Sequence, residues 1–271
     1  MNKIITILVI GICLSGCLAG SEAKKTDVNS MAKAQVEVVL ERLKKQTTEL
    51  KSYQSRIEYK FSQPLLESET LRKGVLYYQK SEGKSALRMN FQTLIQDEEQ
   101  EQKYIVEYIF DGVWLTHIDY QIKEIKRYQK AEPNKPVDAF ELASENFPII
   151  GFSKVEDLKK EFEIELVEKK SSVIPAQAGI QDFIHLHLNV KADSIYKDDY
   201  TSIDFWIDKQ LYLPAKIVAV STEEDIYEIK FLQPAINAKI DKKVFELKIP
   251  KGFNVEIEPL KKQKGDDRKL Y

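Results

Sequence analysis

The chain has 271 residues, with 41 Lys+Arg against 43 Asp+Glu and a formal net charge of −2, so it lacks the basic excess by which proteins hold nucleic acid. Its two cysteines stand at positions 13 and 17, inside or just after an N-terminal apolar run, and the body of the chain has no thiol for a disulfide or a cysteine-ligated metal. The length suits one well-buried domain, near the upper end for an all-β architecture.

Met1-Asn2-Lys3 places one positive side chain ahead of the apolar run Ile4 to Leu14. That run is shorter than the about 20 residues of a membrane-spanning helix, so residues 1–16 read as an export signal that is removed. The signal closes on Leu14-Ser15-Gly16-Cys17, with leucine three before cysteine and two small residues between, a spacing that resembles the lipobox of bacterial lipoproteins. Cys17 is therefore the expected lipidation site and mature N-terminus, and Cys13 leaves with the signal. Two or three acyl chains, at about 0.8 kcal/mol per buried CH₂, make a stable anchor in the bilayer. Leu18 follows the cysteine; by the sorting rule of enteric bacteria, a residue other than aspartate there favours the outer membrane, facing the periplasm. Residues 17–30 read as an acylated N-terminus and flexible tether, because 18–30 are small and polar with no apolar period.

Residues 31–260 then read as one domain. Asn29 or Ser30 can cap an opening helix in which Val36, Val39, Leu40, Leu43 and Leu50 recur at helical spacing. The period next falls to two: Ile57, Tyr59 and Phe61 alternate with Arg56, Glu58 and Lys60, and Leu87, Met89 and Phe91 with Arg88, Asn90 and Gln92. Further strands are predicted near 72–80, 104–110, 113–118, 122–129, 161–168, 182–190, 202–208, 214–220 and 225–232. Asp111-Gly112 marks a hairpin between two of them. A helical interlude from Val137 to near Phe162 is broken at Pro148 and Gly151, and Ser153-Lys154-Val155-Glu156 is a capping box for its second piece.

These elements predict an α+β fold, mainly β: about ten antiparallel strands in a meander, curling and covered on one face. Strand 104–110 is apolar on both sides, which a solvent-facing sheet does not tolerate. Either helices cover one face and something apolar covers the other, or the sheet closes on itself. Residues 172–181, Ser-Val-Ile-Pro-Ala-Gln-Ala-Gly-Ile-Gln, have neither period and resemble a peptide encoded by repetitive genomic elements. They read as a tolerated loop insertion, the alternative being a binding loop. The acidic stretch 97–102 reads as a solvated loop and 261–271 as a flexible tail.

Catalytic signatures are sparse. His185 and His187 stand two apart on one strand and project from one face, where a third ligand would complete a metal site. Ile184, Leu186, Leu188 and Val190 occupy the opposite, drier side, so a solvent-side pair without metal is the expectation. Gly83-Lys84-Ser85 ends like a phosphate loop, but that motif needs glycine where Tyr78 stands in a strand. Neither a G-x-S-x-G nor an H-E-x-x-H motif occurs. No cofactor is called for, and the chain is not expected to be an enzyme. Its 13 Tyr, 12 Phe and 2 Trp read mostly as core, with the remainder available to line an apolar ligand cavity.

Three segments in order resemble the LolA/LolB family of lipoprotein carriers and the wider group of outer-membrane lipoprotein-sorting proteins. Gly74-Val75-Leu76-Tyr77-Tyr78-Gln79-Lys80 is similar to the family's glycine-led strand. Phe110-Asp111-Gly112-Val113-Trp114-Leu115-Thr116, with Lys123-Glu124-Ile125, is similar to its Asp-Gly hairpin. The run Ile236 to Val255 resembles its closing signature: an acidic residue, a Phe strand, Pro-x-Gly, then a short apolar end. Trp206-Ile207-Asp208 and Leu213-Pro214-Ala215-Lys216-Ile217 also fit.

The resemblance spans about 33 to 258. It implies an unclosed, strongly curved antiparallel half-barrel whose concave apolar face is lidded by helices and receives acyl chains. Tyr59, Phe61, Tyr78, Lys80, Met89, Phe91 and Trp114 are then the cavity or lid candidates. Lys80 stands where the carriers have a functional arginine, keeping the charge without the planar fork. The lipobox departs from the soluble carriers and places the chain like the membrane-bound acceptor. The implied role is a lipid-anchored protein that binds acyl chains of lipids or lipoproteins in sorting or transfer, with the bilayer and a lipoprotein-transport protein as partners. A second reading is an envelope-stress sensor of the same fold that binds a protein; such sensors usually carry a further domain. A hydrolase using His185 or His187 is third.

Overall fold

A computed structural model describes residues 20–81, 83–140, 142, 155–167 and 183–260, with residues 20–30 as backbone. Cys17 and the signal, the 172–181 segment, the break at Pro148 and Gly151, Ser153 and the 261–271 tail lie outside the described residues. Helix α1 (Gly20–Glu49) leads into β1 (Ser52–Gln63), β2 (Ser68–Ser81), β3 (Lys84–Gln96), β4 (Gln102–Phe110), β5 (Trp114–Asp119) and β6 (Glu124–Gln129). Helix α2 (Val155–Glu161) precedes β7 (Phe162–Leu166), β8 (Phe183–Val190), β9 (Tyr200–Asp208), β10 (Pro214–Ser221), β11 (Ile226–Ile236) and β12 (Asn254–Glu258). Among the described residues no helix is long and apolar enough to cross a membrane.

All twelve strands form one sheet in the order β12-β6-β5-β4-β3-β2-β1-β11-β10-β9-β8-β7. Its two edges are β12 and β7, so the sheet stays open: a curved half-barrel with helices, the α+β class expected. Every pairing is antiparallel except that of β12 on β6. Registry sorts the faces. Tyr53, Ile57 and Tyr59 of β1 stand opposite Tyr78, Gly74 and Arg72 of β2 on one side and Ile236, Phe231 and Ile229 of β11 on the other. Continuing outward, Leu76 meets Met89, Met89 meets Tyr108, Ile229 meets Ile217, Ile217 meets Phe205 and Phe205 meets Leu186. The period of two thus gives the sheet a largely apolar inner face, against which α1 buries Val36, Val39, Leu40 and Leu43, with Leu50 just past its end.

The two-sided strand β4 is resolved in the first way. Val106, Tyr108 and Phe110 face inward, while Ile109 joins Ile118 and Ile125 in a second small core on the outer face, packed under Tyr120, Leu247 and Phe253. The chain after β11 makes this cover. Asn237 Oδ1 accepts from the N–H of Lys51 at 2.8 Å, and Arg88 reaches from the outer face to the Val244 carbonyl at 2.7 Å while bonding buried Glu107 at 2.6 Å.

Local expectations mostly hold, with three differences. Asp111 Oδ1 accepts from the N–H of Val113 and Trp114, at 2.9 and 2.8 Å, and Gly112 takes φ +97°, so the Asp-Gly hairpin forms as expected. Gly74 has a steric reason: a Cβ there would lie 2.2 Å from the Asn90 carbonyl oxygen. The first difference is that the helix starts at Gly20, not at a cap on Asn29 or Ser30, so residues 20–30 of the expected tether continue α1. Glu22, Ala23, Lys24 and Lys25 are good helix formers, and propensity there outweighs the missing apolar stripe. Second, Lys242–Phe245 is a 3₁₀ turn rather than a strand, capped by Asp241 Oδ1 accepting from Lys243 N–H at 3.0 Å. Third, Asn254–Glu258 adds an edge strand that its short length did not announce.

Candidate functional site

Two parts of the inner face are open enough to meet a ligand. The first is a cavity of about 750 Å³ between the middle of α1 and the β7–β8 edge. Ala34, Val39, Leu166, Phe183 and Ile184 line it, with Gln35, Lys209 and, from the outer side of the sheet edge, His185 as its polar contacts. Its rim is apolar as well: Met31 is 64% exposed, Val38 54% and Val167 39%. A cluster of such side chains at a cavity mouth is unusual for a surface without a partner. The helix above is fixed by polar contacts. Arg42 lies over the Tyr212 ring at 4.8 Å, and Lys44 and Glu37 pair with Glu156 and Lys159 of α2.

The second part is a row of half-buried rings at the other end of the strands. Tyr59 packs on Phe91 at 6.1 Å, Phe91 meets Tyr108 edge-on at 6.5 Å, and Tyr108 stacks on His117 at 4.7 Å. Phe61 continues it to Tyr227 at 5.0 Å, and Tyr227 to Tyr200 at 6.2 Å. Burial, with neighbouring tyrosines adding to it, holds the hydroxyls of Tyr59 and Tyr200 above the ordinary phenol range; burial likewise raises Tyr108 and lowers His117 below the usual imidazole value. The rings of the row are therefore uncharged at neutral pH; the charges beside them are Arg72, whose guanidinium lies over the Tyr104 ring at 5.6 Å, and Asp119, Glu124 and Lys126 next to His117.

The structure separates the sequence candidates. Tyr59, Phe61 and Phe91 belong to the row, Phe91 as its buried base. Met89 is core. Tyr78 is buried at the opposite end, stacked on Phe140 at 4.1 Å with its hydroxyl 3.2 Å from Asp138 Oδ2; burial first, then that carboxylate, raises its pKa. Lys80 ends the same strand and pairs with Asp138 at 3.8 Å, so the basic position touches the segment leaving β6. Trp114 is a correction: it is neither cavity nor lid. Phe110 pairs with Leu115, which puts Leu115 on the inner face and Trp114 on the outer, where Arg127 covers its ring at 5.0 Å. Cys17 lies outside the described residues.

His185 and His187 also face outward. Both bond Asp204 Oδ1, at 2.7 and 2.9 Å, and His185 stacks on Trp206 at 4.4 Å with Lys216 above that indole at 3.6 Å. No group of three or more metal-donor residues among the described residues is placed to hold an ion. Sequence reading missed the α1 rim and Phe183–Ile184. The signal was present: Met31, Gln35 and Val38 recur beside the buried stripe of the helix, and the strand residues flank the aperiodic 172–181 segment.

No protein-family model and no curated protein sequence matches the chain. Among solved structures it is similar to an uncharacterized conserved protein from Thermus thermophilus, with TM-score 0.46 and 10% identity over 83% of this chain and 99% of that one. It is also similar to a chain of the Pseudomonas aeruginosa MucA/MucB complex, with TM-score 0.42 and 13% identity over 78% of this chain and 60% of that one. A LolA superfamily protein from Nitrosomonas europaea aligns with TM-score 0.31 and 11% identity over 78% of this chain and 97% of that one.

Proposed function

We propose that the protein is a lipid-anchored envelope protein that binds acyl chains of lipids or lipoproteins at the inner face of its sheet and takes part in lipoprotein sorting or transfer. The observation that carries this reading is the cavity of about 750 Å³ under α1, apolar in lining and rim and continuous with an apolar sheet face. Such a site suits an unreactive hydrocarbon chain: at about 25 cal/mol per Å² buried, area alone supplies affinity without catalytic groups. The lipobox ending in Cys17 supports a tethered role, in which a ligand is accepted, held or handed over within reach of the anchor. A soluble shuttle would be built differently.

The test uses the chain from residue 18 onward, purified without its anchor, and displacement of a bound fluorescent fatty acid by unlabelled lipids. Saturable uptake and displacement are expected. An absence of uptake overturns the reading, and a pull-down returning one envelope protein in its place would favour the sensor.

A further inference from the structure

We propose that the aromatic row contains an oxyanion subsite at Arg72, so that the ligand taken there is an anionic amphiphile, with a carboxylate or phosphate head and an apolar body lying against the rings. This rests on the acyl-binding reading and sharpens it: a lipid whose head carries negative charge is favoured over a neutral acyl ester of equal length.

Arg72 stands opposite Tyr59 of β1 and Leu94 of β3, so it projects from the inner face, among side chains that are otherwise apolar or uncharged. It is half-buried; its charge works against the rise that burial causes in the pKa of the Tyr108 hydroxyl, and its Nε is enclosed without a hydrogen-bond partner. Among the described residues it has no carboxylate within ion-pair distance. The carboxylates farther across that face are used locally: Asp119 Oδ1 accepts from the N–H of Gln121 at 2.8 Å and Ile122 at 3.3 Å, and Glu124 pairs with Lys126 at 3.3 Å. A guanidinium held against rings with an unmatched Nε–H is costly in isolation, and its planar fork is matched by a carboxylate or phosphate. Several other long cationic side chains on this sheet are paired, among them Lys60 with Glu69, Lys73 with Glu101, Arg88 with Glu107 and Lys216 with Glu228; Arg127 shares the enclosed Nε but lies on the outer face, over the Trp114 ring.

The surroundings fit an amphiphile better than a free ion. Tyr104, Tyr108 and Tyr59 flank Arg72, and Phe61, Phe91 and Tyr227 extend the apolar surface away from it.

The experiment measures displacement of a fluorescent fatty acid from the anchor-free chain by laurate, lauryl phosphate, methyl laurate and inorganic phosphate, for the wild type and for Arg72→Gln and Arg72→Lys. Laurate and lauryl phosphate should bind at least about tenfold more tightly than the ester. Arg72→Gln should erase that preference and leave the ester unchanged, Arg72→Lys should keep part of it, and inorganic phosphate should not compete. Equal binding of acid and ester by the wild type overturns the subsite while leaving acyl binding intact. Competition by inorganic phosphate as strong as laurate overturns the amphiphile. Binding of none of the amphiphiles overturns the acyl reading and this inference with it. Should Arg72→Gln not fold by circular dichroism, the wild-type acid-to-ester ratio decides alone.

Discussion

The two ends of the inner face are built from different side chains. Where α1 crosses β8–β11, the sheet presents Leu186, Leu188, Ile203, Phe205, Ile207, Ile217 and Ala219, all with no exposed surface. At the far ends of β1, β4, β5 and β11, it presents Tyr59, Phe61, Tyr108, His117 and Tyr227, all half-buried. Branched aliphatic side chains interlock and seal, which makes this end scaffold except at the cavity along the β7–β8 edge. Flat rings with polar tips tolerate partial solvent and rearranging neighbours, which makes the second end a surface for a ligand. Stability and binding should therefore divide along the sheet.

The sharpest way to break that division is a matched pair of truncations. Phe205→Ala, at the sealed end, should cost about 3–5 kcal/mol in urea unfolding. Phe61→Ala, in the row, should cost about 1 kcal/mol or less and instead weaken fatty-acid uptake; equal costs would contradict the division. Gly74→Ala, midway, should cost about 1–3 kcal/mol because the new Cβ meets the Asn90 carbonyl and the backbone must shift. Val38→Asp at the cavity rim should leave the unfolding midpoint nearly unchanged, since Val38 is 54% exposed, while lowering uptake of the fluorescent probe several-fold.

The smallest effect is in pH. Burial depresses the folded pKa of His117 below its ordinary 6.5, so the unfolded chain takes up the proton more readily. The stability this residue contributes is complete above the unfolded value and is lost as pH falls through the lower folded value. His117→Phe, which keeps the stack on Tyr108, should flatten the fall in thermal midpoint below pH 6.5. An unchanged slope would remove His117 from the account.

Much of the scaffold was legible because strands with one buried face write their period into the chain. Ile57-Tyr59-Phe61 and Leu87-Met89-Phe91 were read as inner-face stripes, and the pairings agree. The Asp-Gly hairpin was legible because positive φ at Gly112 needs that chemistry. Trp114 became a candidate through the family resemblance alone, which assigns no face; the pairing of Phe110 with Leu115 sets it on the outer side, since one residue of register inverts the face. The cavity was harder to read, since Val38 and Phe183 meet only through the packing of α1 on a strand far along the chain. Arg72 escaped notice because a charged residue in a strand reads as solvent-facing until its neighbours across the sheet are known.

The central claim is that the inner face binds acyl chains, and native mass spectrometry of the chain from residue 18 onward, purified gently from the envelope fraction, tests it most directly. The account predicts a species heavier than the bare chain by the mass of an acyl lipid, released on collisional activation and depleted in Phe61→Ala and Val38→Asp. A spectrum showing only the bare chain, before and after incubation with lipid, would contradict it.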